Sequence, residues 1–369
     1  MTSSAENQPR VSVIVPVYNA SEYLVETISS VTQQTLRDLE IIIVDDGSTD
    51  GSFAIAEELA AGDARIHLFA LETNRGVGAA RNFGIQQATG DFLYFLDSDD
   101  RLHEEALAVL SKKANDEQHD ILYFDAEPFF DSPQLELEKG GYRNYYQRSD
   151  SYSGVKPGVE LLVEMTANDD WKPGPPLQLA RRSFIEREGV TFPEGTFHED
   201  NPYTLLNALA AKRVAYESRP LLHRRIREGS IVTSAPTSRH VLGLFDAYVR
   251  GSAIADRLGY QPGSREGRAI DWEIRKLADD AQRKYARLST EAERAQVREE
   301  LGSSFAHRDI AELSQLRAEV AAYRRNLQKV EQDLLAIQQR SARRSRSLPA
   351  RALGKIKNRV SRLVGRLRR

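Results

Sequence analysis

Residues 41–52 read IIIVDDGSTDGS: four β-branched residues, two adjacent carboxylates, then a turn of glycine, serine, threonine and aspartate. An apolar run of this length that stops on acids and turn residues predicts a buried strand ending at a polar edge. The pattern repeats on either side. VSVIVPVY (11–18), RIHLFAL (65–71) and DFLYFLD (91–97) are further strand-sized runs. Between them lie helical spacings: Leu24, Ile28 and Val31 after Ser21; Phe53, Ile55, Ala56 and Leu59; and GAARNFGIQQA (78–88). Strands separated by helices predict βαβ units on a mostly parallel sheet. In such sheets ligands bind beyond the carboxyl ends of the strands, where Asp45, Asp46, Asp97 and Asp99 fall.

The 369 residues include 51 Lys+Arg and 54 Asp+Glu, for a net charge of −3, with 40% hydrophobic and 28% charged residues. This composition excludes a disordered, collagen-like or membrane-embedded chain. No apolar run approaches the ~18 residues of a spanning helix, and MTSSAENQPR lacks a signal-peptide pattern, so a cytoplasmic protein is expected. The absence of cysteine excludes disulfides, thiolate metal sites and cysteine nucleophiles. The near-neutral total hides an asymmetry. From Arg340 to Arg369 there are twelve bases and no acid, whereas the preceding 339 residues hold 39 bases against 54 acids. A basic tail of this kind is expected to meet a polyanion or an anionic surface.

Three turns in the first 100 residues carry chemistry. Asp45 and Asp46 could accept hydrogen bonds from a base N–H or a ribose hydroxyl. The simpler account is a turn in which Ser48 or Asp50 caps the next helix. Asn74-Arg75-Gly76-Val77-Gly78 opens a helix whose free N–H groups suit an anion, with Arg75 and Arg81 adding charge; a tight turn alone would also need these glycines. Asp97-Ser98-Asp99-Asp100 crowds three carboxylates, which repel one another unless a cation or donors compensate. Oxygen ligands of this type suit Mg²⁺ or Mn²⁺ bridging to a diphosphate, against the alternative of a solvated acidic turn.

Taken in order, VSVIVPVYN (11–19), IIIVDDGSTDGS (41–52), NRGVGAARNFGI (74–85) and GDFLYFLDSDD (90–100) resemble glycosyltransferase family 2. The resemblance covers about the first 125 residues. It implies an α/β GT-A (Rossmann-like) fold and a metal-dependent, inverting hexosyltransferase using a nucleotide diphosphate donor, most commonly a UDP-sugar. By that resemblance Asp46, with Asp45 beside it, holds the nucleoside, and Pro16 and Tyr18 lie near the base and ribose. Arg75, Gly76, Arg81, Asp97 and Ser98 belong with the nucleotide contacts, and Asp97-Ser98-Asp99 is the DxD metal motif. Asp99 is the direct metal ligand in this reading, with Asp100 a competitor. HED at 198–200 looks like the family's ED motif, which makes Asp200 the base, Glu199 its alternative and His198 an acceptor contact. Asp200 or Asn201 could equally cap the following helix. Arg225, Arg227 and Ser230 fit an R-x-R-x-x-S pattern and are candidates to clamp a diphosphate or anionic acceptor, or else form a basic surface strand. Trp171 could stack on a sugar or lie in the core.

These readings divide the chain into a disordered lead (1–10), a nucleotide-sugar half (11–125), an acceptor half (126–235), a helical region (236–305), a coiled coil (306–340) and a basic tail (341–369). Residues 126–160, rich in aromatics, are expected to form loops or a small lobe that shapes acceptor binding. Leu313, Val320, Leu327 and Leu334 recur every seven residues, with Leu316, Tyr323, Val330 and Ile337 three after each, predicting a homodimeric coiled coil over 313–337. Residues 349–369 read as a basic amphipathic helix suited to an anionic membrane surface, which would make the protein peripheral on the inner face of the cell membrane. Nucleic acid is the less favoured partner. The expected acceptor is a cell-surface polysaccharide, a teichoic-acid-like polymer or a lipid-linked glycan. A protein or small-molecule acceptor, or a catalytically vestigial scaffold, are the alternatives.

Overall fold

The computed structural model describes residues 9–230 and 233–301; the expected coiled coil and basic tail lie outside the described residues. The N-terminal part runs β1 (Val11–Val17), α1 (Leu24–Thr32), β2 (Leu39–Asp45), α2 (Ser52–Gly62), β3 (Ile66–Ala70), α3 (Val77–Gln87) and β4 (Phe92–Phe95). There follow β5 (Arg101–Leu102), α4 (Ala106–Asp116), β6 (Ile121–Phe130), α5 (Pro133–Glu138), α6 (Gly158–Ala167), β7 (Gln178–Arg181) and α7 (Arg182–Glu188). The described chain closes with α8 (Asp200–Ala210), β8 (Val214–Ile226), α9 (Ser238–Arg257), α10 (Arg265–Ala286) and α11 (Glu291–Leu301).

All eight strands form one sheet in the order β3-β2-β1-β4-β7-β6-β8-β5. Every residue of β1 and β2 is buried, as expected of parallel strands covered on both faces. Side chains alternate across the pleat. Val11, Val13, Val15 and Val17 join α1 and α4 in one apolar layer, while Ile14, Ile42, Leu93 and Phe95 join α3, α6 and α8 in the other. The sheet is mixed: β7 is antiparallel to both β4 and β6, and β5 to β8, while the other pairings are parallel. The six remaining strands therefore run in one direction, and their carboxyl ends share an edge.

That edge positions the site. Val17 pairs with Asp45, so β1 and β2 end level. The strand order changes sides at β1, between β2 and β4, which makes the crevice beyond Val17 a topological switch point. β8 is parallel to β6 and stays paired with it as far as Ile226, which carries the arginines of LLHRRI to the same edge. The stretch from residue 126 differs from the expected loop, because Ala126–Phe130 continues β6 by pairing with Leu222–Ile226.

Candidate active site

The turn after β2 is fastened to the end of β1. Asn19, in the left-handed region at φ 49°, accepts from the Thr49 N–H through Oδ1 at 2.8 Å. Ser48 Oγ accepts from the Asn19 N–H at 3.0 Å. Asp50 accepts from the Ser21 and Ser52 N–H groups at 3.1 and 2.9 Å. Burial pushes the Asp50 carboxyl up, but the bonds from Ser52 and Ser21 outweigh it and bring it down to about 2. The N-cap position of α2 is Gly51; Asp50 nevertheless holds the N–H of Ser52, the first residue of α2, and with Ser48 it also ties this turn to Ser21 and Asn19.

Asp45 and Asp46 do different work. Asp45 is 3% exposed; its Oδ2 accepts from the Ser48 N–H at 3.1 Å, and its buried Oδ1 has no hydrogen-bond partner among the described residues. A buried, unsatisfied carboxylate oxygen at a switch point is costly unless a ligand donates to it. Asp46 accepts from the Arg75 and Gly76 N–H groups at 2.7 and 2.8 Å. The anion expected at the start of α3 is thus Asp46 itself, and Gly76 is required there by its φ of 90°. The Arg75 guanidinium turns outward to Glu194 at 2.6 Å. Pro16 is buried in β1, and Tyr18, just past it, is 49% exposed.

The Asp97–Asp100 turn is compensated by arginines. Asp97 accepts from Arg81 Nη2 at 2.7 Å and Arg224 Nη1 at 3.0 Å. Burial would raise its pKa, but Arg224 and Arg81 together lower it below the ordinary carboxylate value. Asp99 Oδ2 accepts from Arg227 Nε at 2.7 Å, and the Ser98 carbonyl accepts from Thr27 Oγ1 at 2.9 Å. Asp100 is buried beneath the turn, accepting from the Arg225 N–H at 2.8 Å and Arg224 Nη1 at 3.1 Å. Burial, against Arg224 and with Asp99 and Asp97 adding to it, pushes its carboxyl up to about 8. Asp100, 1% exposed, thus turns both of its oxygens to arginine donors beneath the turn.

At the end of β8 the structure adds a further arginine, Arg224, to the expected Arg225 and Arg227. Arg225 packs over Tyr23 and Phe129 and is committed to Asp131, Glu26 and the Asp99 carbonyl, so it braces the turn from outside. Arg224 is the side chain that reaches Asp97 and Asp100. Its signal was the adjacent Arg-Arg pair, because neighbours on a strand point to opposite faces. Ser230 is spent in a turn with Thr233, Oγ to Oγ1 at 2.9 Å. Trp171 is 7% exposed and packs edge-on against Tyr123, so it fills the core and offers no sugar platform.

The second acidic turn meets the first through Arg81, which is 4% exposed. Its Nη1 donates to Glu199 Oε1 at 2.6 Å and its Nη2 to Asp97. Arg81 is thus a buried bridge, not a surface clamp for phosphate. Burial, opposed by Arg81 and assisted by Asp200, raises Glu199 to about 7. Asp200 is the first residue of α8, and the N-cap position belongs to Glu199, which makes no side-chain capping bond. The Asp200 carboxylate instead accepts from Asn201 Nδ2 at 2.9 Å. Burial, against Arg81, raises its pKa as well. His198, in the left-handed region at φ 63°, has a buried Nε2 without a partner among the described residues; burial, with Lys284 and His240 nearby, lowers its pKa to about 4.

No group of three or more Asp, Glu or His side chains that could hold a metal alone exists among the described residues. Asp99 fits the other kind of site, in which one or two carboxylates bind a hard cation and substrate phosphates complete its shell, while Asp97 beside it already accepts from Arg81 and Arg224 on its two oxygens. Asp99 uses only Oδ2 for Arg227.

Residues 12–153 match the family model described as Glycosyl transferase family 2. The chain carries a family 2 glycosyltransferase domain. EpsH of Bacillus subtilis (strain 168) is 35% identical over 227 residues, covering 61% of this chain and 63% of that one, just under two thirds of the relative's length. Among solved structures, S. aureus TarS 1-349 in complex with UDP-GlcNAc aligns with a TM-score of 0.61 at 23% identity, over 80% of each chain. The mannosyltransferase PcManGT from Pyrobaculum calidifontis, in complex with GDP-Man and Mn²⁺, aligns with a TM-score of 0.50 at 18% identity, over 87% of this chain and 88% of that one. Both structures share the GT-A fold with this domain.

Proposed function

We propose that this domain transfers a hexose-type sugar, with inversion, from a nucleotide diphosphate donor to an acceptor hydroxyl. The observation that carries the reading is the Arg81 bridge, which joins a donor-side carboxylate, Asp97, to the turn bearing Asp200 through bonds of 2.7 and 2.6 Å. Asp45, through its unpartnered Oδ1, accepts from the nucleoside, and Tyr18 borders the base and ribose. Asp200 removes the acceptor hydroxyl's proton as that oxygen attacks the anomeric carbon. The new C–O bond forms while the bond from C1 to the diphosphate breaks, and the diphosphate leaves with the electron pair. Arg227 and Arg224, on either side of the Asp97–Asp100 turn, supply positive charge to the departing group. Asp99, with Asp97 beside it, is the carboxylate to hold Mg²⁺ or Mn²⁺, which when bound offsets the diphosphate's charge.

The TarS complex with UDP-GlcNAc favours UDP as the nucleotide. The proposed acceptor is a cell-surface polysaccharide, a teichoic-acid-like polymer or a lipid-linked glycan. Among the described residues no helix is long and apolar enough to cross a membrane. In this reading residues 313–337 dimerise the chain and the basic stretch 349–369 brings it to an anionic surface. The deciding experiment is release of nucleotide diphosphate from a panel of UDP-, GDP- and dTDP-sugars with Mg²⁺ or Mn²⁺. Release from at least one donor, abolished by Asp99→Ala and by EDTA, is expected. No release from any donor overturns the enzymatic reading, and full activity in EDTA overturns the metal role.

A further inference from the structure

The aromatic stretch after β6 has a defined form. Tyr142, Tyr145 and Tyr146 cluster, with Tyr145 edge-on to Tyr146 at 4.9 Å and to Tyr142 at 5.6 Å. The buried member, Tyr146, lies under the Arg224 guanidinium at 5.6 Å, and Arg224 is bonded to Asp97 and Asp100. The cluster therefore abuts the donor-side turn. Tyr145 is the outer member, 46% exposed, with the Lys172 ammonium over its ring at 4.8 Å. Burial, and behind it the neighbouring Tyr146 and Tyr142, raise the Tyr145 phenol to about 12, so the ring presents a neutral hydroxyl.

An exposed tyrosine on a slack loop would need no explanation, but this loop is fastened at its far end. The Arg148 N–H and guanidinium donate to Asp125 at 3.0 and 2.8 Å. Asp170, two residues before Lys172, accepts from the Ser149 N–H and the Tyr152 hydroxyl at 2.8 and 2.6 Å. Lys172 in turn donates to the Asp169 carbonyl at 3.1 Å. The ring and the ammonium are held together on an anchored frame, the preorganisation that binding sites use.

We propose that Tyr145, with Lys172 beside it, is the platform for the acceptor's pyranose ring. The apolar C–H face of the sugar lies on the ring face that the ammonium now covers, and the ammonium, displaced to the sugar's rim, donates to its hydroxyls. The inference rests on the transferase reading above and names that site's acceptor side. The probes are methyl glycosides of glucose, galactose, mannose and N-acetylglucosamine, followed by saturation-transfer NMR with the full chain and UDP present. Wild type is expected to saturate the ring protons of at least one glycoside. Tyr145→Phe keeps that affinity, and Tyr145→Ala weakens it roughly tenfold. Tyr145→Leu, which retains apolar bulk should the alanine variant fold poorly, gives the same loss. No binding of any glycoside to wild type, equal binding to all variants, or a phenylalanine variant as weak as alanine overturns the platform. Nucleotide release by wild type, measured separately, tells this failure apart from failure of the transferase reading.

Discussion

Arg81 Nη1 donates to Glu199 Oε1 at 2.6 Å, joining residues 118 apart in the chain, both of them buried. Removing Arg81 strands Glu199 as a buried group without its ion-pair partner, at a cost of roughly 3–5 kcal/mol, whereas Arg81 without Glu199 keeps Asp97. Arg81→Met should lower unfolding stability by about that amount in urea. Glu199→Gln should cost less, since burial already raises that carboxyl to about 7 and an amide still accepts from Arg81. The double variant should be less destabilised than the two losses combined, and strict additivity in the cycle would show the contact to be energetically idle.

Asp200→Asn removes the proposed base while keeping its shape and its place in the first turn of α8. Turnover is expected to fall by roughly 10²- to 10⁴-fold with little change in donor KM. Because burial raises the Asp200 pKa, activity should fall with decreasing pH along a limb centred above the ordinary carboxylate range. Wild-type turnover by the asparagine variant would remove Asp200 from the mechanism.

How much of this was legible in the sequence depended on the range of the interaction. The strands around 11–18, 41–46 and 91–97 are visible because parallel strands buried on both faces must be continuously apolar. The acids at their ends mark the crevice for the same reason. Arg224 could not be chosen over Arg225 from spacing, since the choice depends on which face of β8 looks at the Asp97–Asp100 turn. Trp171, which reads equally as a sugar platform or a core residue, is packed against Tyr123, whereas Tyr145, one of the aromatics in 126–160, is exposed. Asp46 read as a ligand contact, yet both of its oxygens already accept from the loop at Arg75 and Gly76, thirty residues along the chain.

His198 gives the fold a sensitivity to acid. In the folded chain its pKa is lowered from 6.5 to about 4, by burial and then by Lys284 and His240. Between those values the unfolded chain binds a proton that the folded chain refuses, so stability is present above about 6.5 and is lost as pH falls towards 4. His198→Asn, which tolerates the left-handed backbone at this position, should flatten that part of the stability–pH curve. Denaturation midpoints at pH 4.5, 5.5 and 7 for the two proteins test this; parallel curves would mean that His198 is not the responsible group.

Gly78 was read as part of an anion-binding turn, but packing explains it. A Cβ at Gly78 would lie 2.2 Å from the Pro193 carbonyl oxygen and 3.4 Å from Glu199 Cγ. Helix α3 can approach the segment leading to His198-Glu199-Asp200 so closely only because residue 78 has no side chain, and that approach lets Arg81, one turn further on, reach Glu199. Gly78→Ala should push the two apart, lowering stability by about 1–3 kcal/mol and lowering turnover through the misplaced Asp200. Gly62, at the end of α2, has nothing within 4 Å of an added Cβ. Gly62→Ala should therefore be neutral, or stabilising by up to about 1 kcal/mol. Urea denaturation with a donor-release assay measures both effects. A Gly78→Ala protein as stable and active as Gly62→Ala would mean that the close approach of α3 does not hold the base turn in place.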